Sequence, residues 1–257
     1  CNGPGVLALN KIGLKVIDAK EIVEQARVIK SKEEIQCMKA SLEVCEKGVR
    51  LMRNELKAGI TEDELWSLFH KTNIENGGEW IECRMLTSGQ RTNPWMQESS
   101  NKVIQQGEIV SFDTDMVGLY GYCADISRTF VEGHKFSSEQ KKLYQLAIDQ
   151  INHNSELIKP GLSFKEFVKK SWKLPEPYYG NRYSCMLHGI GLCDEWPMIK
   201  YPTDDDQQSG QFEKNMTVTV ESYIGEVGGK EGVKLEQQYM VGENGLELMS
   251  HHPLEDL

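Results

Sequence analysis

Two aspartates separated by one residue, in the run FDTDMVGLYGYCAD, open the chemical reading of this 257-residue chain. Asp113 and Asp115 fall within a stretch of β-formers, Ile109 to Met116, that reads as a strand. With a strand period of two, both carboxylates point to one face, roughly 6 to 7 Å apart. Two carboxylates on a core-facing surface repel unless a positive charge lies between them, and a divalent metal supplies one. A second strand candidate is Tyr120 to Phe130, with Gly118 and Gly121 marking the connection, so a hairpin or bulged ribbon would bring Asp125 near the pair. Further along, His188 stands in LHGIG, Glu221 in the β-forming run VTVES and Glu236 in KLEQQYMV. Taken singly these residues have ordinary readings, His188 as a hydrogen-bonded core histidine and Glu236 as a surface strand residue. Taken together they are a set able to hold two metal ions about 3.5 Å apart. Hard, oxygen-rich ligands suit iron, manganese, zinc or cobalt better than copper(I).

The elements that must position these residues are legible from local signals. Ser31 and Glu34 form a capping box ahead of Ile35, Met38, Leu42, Cys45, Val49 and Met52, an apolar stripe at helical spacing. Thr61 with Glu64 opens a second helix, Ser137 with Gln140 a third running to about Ile151, and Ser163 with Glu166 a fourth. Ile81 to Leu86 reads as a strand, SGQRTNPW as a turn-rich loop, and Met216 to Tyr223 and Val233 to Val241 as the last strands. Two pairs of helices separated by strands predict a duplicated α+β unit, with helices backing a curved, largely antiparallel sheet. Residues 1–24 read as an irregular or strand-containing lead, the remnant or linker of an N-terminal domain, with residues 25–257 as the catalytic domain.

Composition narrows the partners. A net charge of −10 disfavours nucleic acid, and no apolar run is long enough for a transmembrane helix. Seven cysteines, odd in number and without a CxxC pair, argue against a disulfide framework or a thiolate zinc site and favour a cytoplasmic compartment.

The segments EIVEQARVIKSKEEIQCMKAS, FDTDMVGLYGYCADISRTF, MLHGIGLCDE, TVTVES and VKLEQQYMV resemble the pita-bread superfamily that contains methionine aminopeptidases, prolidases and creatinase. The resemblance implies an α+β fold, metal ligation by Asp125, His188, Glu221 and Glu236, and a homodimer. Two departures stand out. The glycine of the family's D-x-G is Asp115 here, and the histidines that serve proton transfer in the peptidases are missing from HGIGLCDEW and RTNPW. Within the superfamily this pattern is most similar to the metal-dependent dimethylsulfoniopropionate lyases. That likeness implies that Asp113 and Asp115 both bind metal, with iron foremost and zinc, manganese or cobalt as alternatives. It also implies that Asp194 is the base and that Tyr183 lies near a small zwitterionic substrate.

On this reading Asp194 takes the proton next to the substrate carboxylate. With an ordinary pKa near 3.9, it should need partial desolvation or a neighbouring negative charge, from Glu195 or a metal carboxylate. Trp95, Tyr183, Tyr120 and Tyr122 are candidates to face a sulfonium cation, and Trp196 to wall the pocket. Arg128 is a candidate partner for a metal carboxylate. The rival reading, a metal-dependent Xaa-Pro aminopeptidase or prolidase-like dipeptidase, would be favoured if His70 or His134 reached the cluster.

Overall fold

The computed structural model describes residues 3–204 and 208–257. Four helices come first: α1 (Gly3–Lys11), α2 (Lys20–Ala26), α3 (Lys32–Glu55) and α4 (Glu62–Glu75). Six short strands follow, β1 (Trp80–Ile81), β2 (Leu86–Ser88), β3 (Ile109–Asp113), β4 (Met116–Val117), β5 (Cys123–Ala124) and β6 (Ser127–Val131). Then come α5 (Ser138–Leu157), α6 (Phe164–Lys170) and α7 (Glu176–Tyr179), and finally β7 (Leu187–Ile190), β8 (Asp194–Ile199), β9 (Thr217–Gly225), β10 (Gly232–Val241) and β11 (Leu246–Leu248).

The helices begin where side-chain chemistry starts them. At Ser31, Thr61 and Ser137 the hydroxyl accepts from the backbone N–H three residues on, and the Glu or Gln there accepts in return. Each such box satisfies two of the amide donors that a helix start leaves over. Ser163 caps α6 with its hydroxyl.

Every strand pair is antiparallel. The largest sheet runs β11-β10-β9-β7-β8, and β2-β3-β6 and β1-β4-β5 form two smaller ones. Side chains lace the first two into one curved surface. Thr129 of β6 donates to the Lys234 carbonyl and accepts from the Lys234 amide of β10, at 2.8 and 3.1 Å, and Ser111 of β3 donates to the Gly232 carbonyl. Two apolar cores back that surface. One packs α5 and α6 against β7–β10, and the other packs α3 and α4 against β2–β6. Each core thus pairs two helices with one half of the strands, the duplicated arrangement expected from the sequence.

Three local expectations differ from the structure. The lead carries α1 and the start of α2, with residues 12–19 irregular between them, and it has no strand among its described residues. The run Val6 to Leu9 lies on α1, which buries none of its residues, so short apolar runs there did not identify a strand. Cys1 lies outside the described residues. The single strand expected over Ile81 to Leu86 is two strands in different sheets, β1 and β2. Residues Leu174 to Tyr183, expected as loop, contain α7. No helix among the described residues is long and apolar enough to cross a membrane.

Candidate metal centre

The glutamates are placed by a regular ladder. Glu221 of β9 and Glu236 of β10 are direct cross-strand partners, and both strands are almost wholly buried. β7 pairs on the other edge of β9 and sets His188 opposite Thr219. The His188 ring then points Nε2 at Glu221 Oε1 (3.3 Å), Glu236 Oε1 (3.6 Å) and Asp125 Oδ2 (3.7 Å).

The aspartates arrive differently. β3 ends at Asp113, and Asp115 sits at φ 33°, in left-handed territory that an aspartate tolerates better than most residues. The expected two-residue strand period therefore does not position this pair, because the strand stops between its members. A turn does it instead, held by Thr114, whose hydroxyl donates to the Ala124 carbonyl and accepts from the Ile126 amide. The Asp115 amide donates to Asp125 Oδ1 at 3.2 Å, so the backbone of one ligand candidate orients the carboxylate of another. Two groups result in which one donor atom per residue lies within 4.8 Å of the others: Asp125, His188 and Glu236, and Asp113, Asp115 and Asp125.

A cation of the protein's own enters this cluster. Lys234, fully buried, places Nζ 2.5 Å from Glu221 Oε2, 2.9 Å from Asp113 Oδ2, 3.4 Å from Glu236 Oε2 and 2.7 Å from Ser127 Oγ. The Tyr183 ring covers it, with its centroid 4.4 Å away. Sequence reasoning missed both Lys234 and Ser127, although a signal existed. Lys234, Glu236 and Gln238 share one face of a strand at period two, and the Gln238 side-chain oxygen Oε1 accepts from the Asp125 backbone amide at 2.9 Å.

Burial and mutual repulsion govern the charges. Burial pushes Asp113 up to about 6, with Lys234 opposing, and pushes Glu221 up to about 8, reinforced by Glu236. Asp115 and Asp125 are likewise held well above the usual carboxylate range by burial and by neighbouring carboxylates. Glu236 alone is drawn well below it despite its burial, by Lys234 and His188. Burial pulls Lys234 down, but Asp113, Glu221 and Glu236 override it and hold the ammonium well above its ordinary value. Five carboxylates crowded this closely require more positive charge than one lysine supplies. The buried Oε1 atoms of Glu221 and Glu236 also have no hydrogen-bond partner among the described residues. Unpartnered buried acceptors within a dense donor set fit metal ligation.

Other singled-out residues divide by location. Asp194 lies at the start of β8 on the outer side of His188, with Oδ1 3.8 Å from Nδ1 and its side chain 37% exposed. Glu195 does not neighbour it functionally, because its buried carboxylate turns away to Arg27 and Lys30. Burial first, and then the charge of Asp194, raises the Glu82 pKa. Trp95 packs with Met85 and Tyr223, and Tyr183 joins that group beside the cluster. Trp196 is a core residue packed edge-on to Phe164, not a wall of the centre. Tyr120 is exposed, and the Tyr122 hydroxyl donates to Glu34. Arg128 reaches no cluster carboxylate. It donates to the backbone carbonyls of Ser127, Glu236 and His252 and to Gln237, bracing β10 from behind. His70 packs against Trp66 and His134 lies beside Arg53, so neither is in the cluster.

A family model for metallopeptidase family M24 matches residues 36–243, most of the chain. The chain belongs to family M24. Among its M24 relatives, the dimethylsulfoniopropionate lyase DddP of Roseovarius nubinhibens is 38% identical, over 98% of this chain and 58% of the relative. The Xaa-Pro dipeptidase of Pyrococcus furiosus is 29% identical, over 88% of this chain and 64% of the relative. The solved Xaa-Pro dipeptidase of Bacillus anthracis superposes with a TM-score of 0.84 at 26% identity, over 99% of this chain and 71% of the other. The fold is thus the pita-bread fold of these peptidases. The chain spans under two thirds of the length of the curated relatives it matches first. Family M24 is dinuclear and metal-dependent, and the carboxylate and imidazole cluster is where this chain carries a possible metal site.

Proposed function

We propose that this chain carries the catalytic site of a metal-dependent carbon–sulfur lyase that cleaves dimethylsulfoniopropionate to dimethyl sulfide and acrylate. The observation that carries the proposal is the pairing of the Asp113–Thr114–Asp115 turn with Asp194 beside His188, at a centre that no second histidine among the described residues enters. The M24 relative named above as a lyase supports it.

In this reading Asp113, Asp115, Asp125, His188, Glu221 and Glu236 hold two ions, of which iron is our first choice, with zinc, manganese and cobalt as alternatives. When bound, the ions would draw charge from the substrate carboxylate and so acidify the adjacent C–H. Asp194 takes the proton from that carbon. The C–H electron pair becomes the new C=C bond, the C–S bond breaks, and its electrons leave with dimethyl sulfide. Partial exposure lets Asp194 return the proton to solvent. The carboxylates that feel the charge of Asp194 include Glu82 and Asp115, whereas Glu195 is engaged elsewhere. Tyr183 and Trp95 would meet the sulfonium end, and the Tyr183 ring already faces one cation, the Lys234 ammonium. Residues 25–257 would form the catalytic unit. Six free cysteines among the described residues support a reducing, cytoplasm-like compartment.

The test is headspace detection of dimethyl sulfide from iron-loaded protein given dimethylsulfoniopropionate, with hydrolysis of a proline dipeptide run in parallel. Sulfide release that is lost in Asp194→Asn, with metal content unchanged, supports both the lyase and its base. Dipeptide cleavage without sulfide would assign the chain to the peptidase chemistry of its other M24 relatives.

A further inference from the structure

Lys234 divides the oxygens of the cluster into two sets. Its ammonium and the Ser127 hydroxyl take Asp113 Oδ2, Glu221 Oε2 and Glu236 Oε2, while Ser127 Oγ lies 2.6 Å from Asp113 Oδ1 and 2.9 Å from Glu236 Oε2. The other oxygens of the two glutamates, both named Oε1, have no hydrogen-bond partner among the described residues and converge on His188 Nε2. Each glutamate is therefore pinned by one oxygen and free at the other. A flexible carboxylate held in this way loses its rotational freedom before any ion arrives, which is the usual contribution of groups behind metal ligands.

The same ammonium also completes a charge balance. Once bound ions displace the protons of the site, five ionised carboxylates around a neutral imidazole would be neutralised by two divalent ions together with one lysine, whereas two trivalent ions would leave a surplus of positive charge in a buried site. Unpaired charge in such surroundings is costly, whichever its sign.

We propose that Lys234 is a positioning residue and a permanent charge of the centre, orienting Asp113, Glu221 and Glu236 and biasing the site toward divalent over trivalent ions. The inference rests on the two-ion reading above. It separates Lys234 from a lysine that merely fills space, because removing a filler or a hydrogen-bond donor weakens both oxidation states of a bound ion alike. Removing a charge changes their ratio.

The test compares wild type, Lys234→Met, Lys234→Gln and Lys234→Arg, each loaded with iron without oxygen and poised at one potential with mediators. Total iron is counted by mass spectrometry and the Fe(III) to Fe(II) ratio is read by Mössbauer spectroscopy. The ratio should rise at least about tenfold in Lys234→Met and Lys234→Gln, since a full charge is lost a few ångströms from the ions, and should stay close to wild type in Lys234→Arg. Lys234→Gln keeps a donor and carries the test if Lys234→Met does not fold. An unchanged ratio in the folded uncharged variants, even with less total iron, overturns the inference. A wild type that keeps its pair as Fe(III) under mildly reducing mediators overturns it without any variant. A wild type that takes up no iron, manganese or zinc overturns the two-ion reading instead.

Discussion

The two limbs of the centre are built on opposite principles. Glu221 and Glu236 come from the long, regular β9–β10 ladder, in direct register and buried along its length. Asp113, Asp115 and Asp125 come from short, interrupted strands joined by a turn with a non-glycine residue at positive φ. A ladder fixes side-chain direction through many backbone hydrogen bonds and needs little local help. The turn depends on a few side-chain bonds, above all those of Thr114 and the Asp115 amide. The lesson is that rigidity at one limb permits irregularity at the other, where Asp115 adds a carboxylate at the turn.

The largest effect should come from the rigid limb. Glu236 faces Glu221, His188 and Lys234 at once, so Glu236→Gln should weaken metal binding by more than about 100-fold, beyond what loss of a residue behind the ligands costs. Retained stoichiometry at micromolar metal, measured by equilibrium dialysis, would mean the ladder is scaffolding only. Asp115→Asn should act on one side of the centre. The amide tolerates the left-handed backbone but lacks the charge, so the protein should fold normally and its bound metal should fall from two ions toward one per chain. Loss of both ions would erase the distinction between the limbs.

After chelation the pH dependence of stability should follow the raised carboxylates. In the folded chain Asp113 titrates at about 6 and Glu221 at about 8, above their unfolded values near 4. Between those limits the folded state binds more protons than the unfolded one, so stability is highest at the acid end and falls as pH rises from about 4 toward 8. His188 has the same sign, because its raised pKa makes stability fall above its ordinary value near 6.5. Glu236, depressed, acts only below about 4.5, where stability falls as pH drops. Urea midpoints taken across this range with and without manganese check the prediction; a chelated protein that gains stability from pH 5 to 8 would contradict it.

Much of this architecture is legible locally. The capping hydroxyls of Ser31, Thr61, Ser137 and Ser163 act within four residues, so their sequence signals survive into the fold. The β9 and β10 strands are equally legible, since β-formers dominate both runs. What escaped depends on partners distant in the chain. The turn at Asp115 requires Ala124, Asp125 and Ile126, and nothing in FDTDMVG alone breaks the strand pattern. Glu195 beside Asp194 looked like a catalytic neighbour, but Arg27 and Lys30 claim it from the other end of the chain. Lys234 was visible at period two from Glu236, yet a lysine on a strand is ordinarily read as solvent-facing. The carboxylates of Asp113, Glu221 and Glu236, with the Ser127 hydroxyl and the Tyr183 ring, make its burial tenable.

The smallest effect tests the turn against the ladder with matched hydroxyl deletions. Thr114→Val removes an acceptor for the Ile126 amide and a donor to the Ala124 carbonyl, and should cost about 1–2 kcal/mol, the range for stranding a buried polar group. Ser222→Ala on β9 removes one buried bond to Gln150, beside Glu221 in sequence, and should cost a similar amount. The two should part company at the metal. Thr114→Val frees the turn that aims Asp115 and should weaken the second ion by up to about 10-fold, the lower end for a residue supporting a ligand. Ser222→Ala should leave both ions in place, because the ladder holds Glu221 without it. Calorimetric titration with manganese measures both variants at once, and equal losses in the two would show that the limbs share a common rigidity.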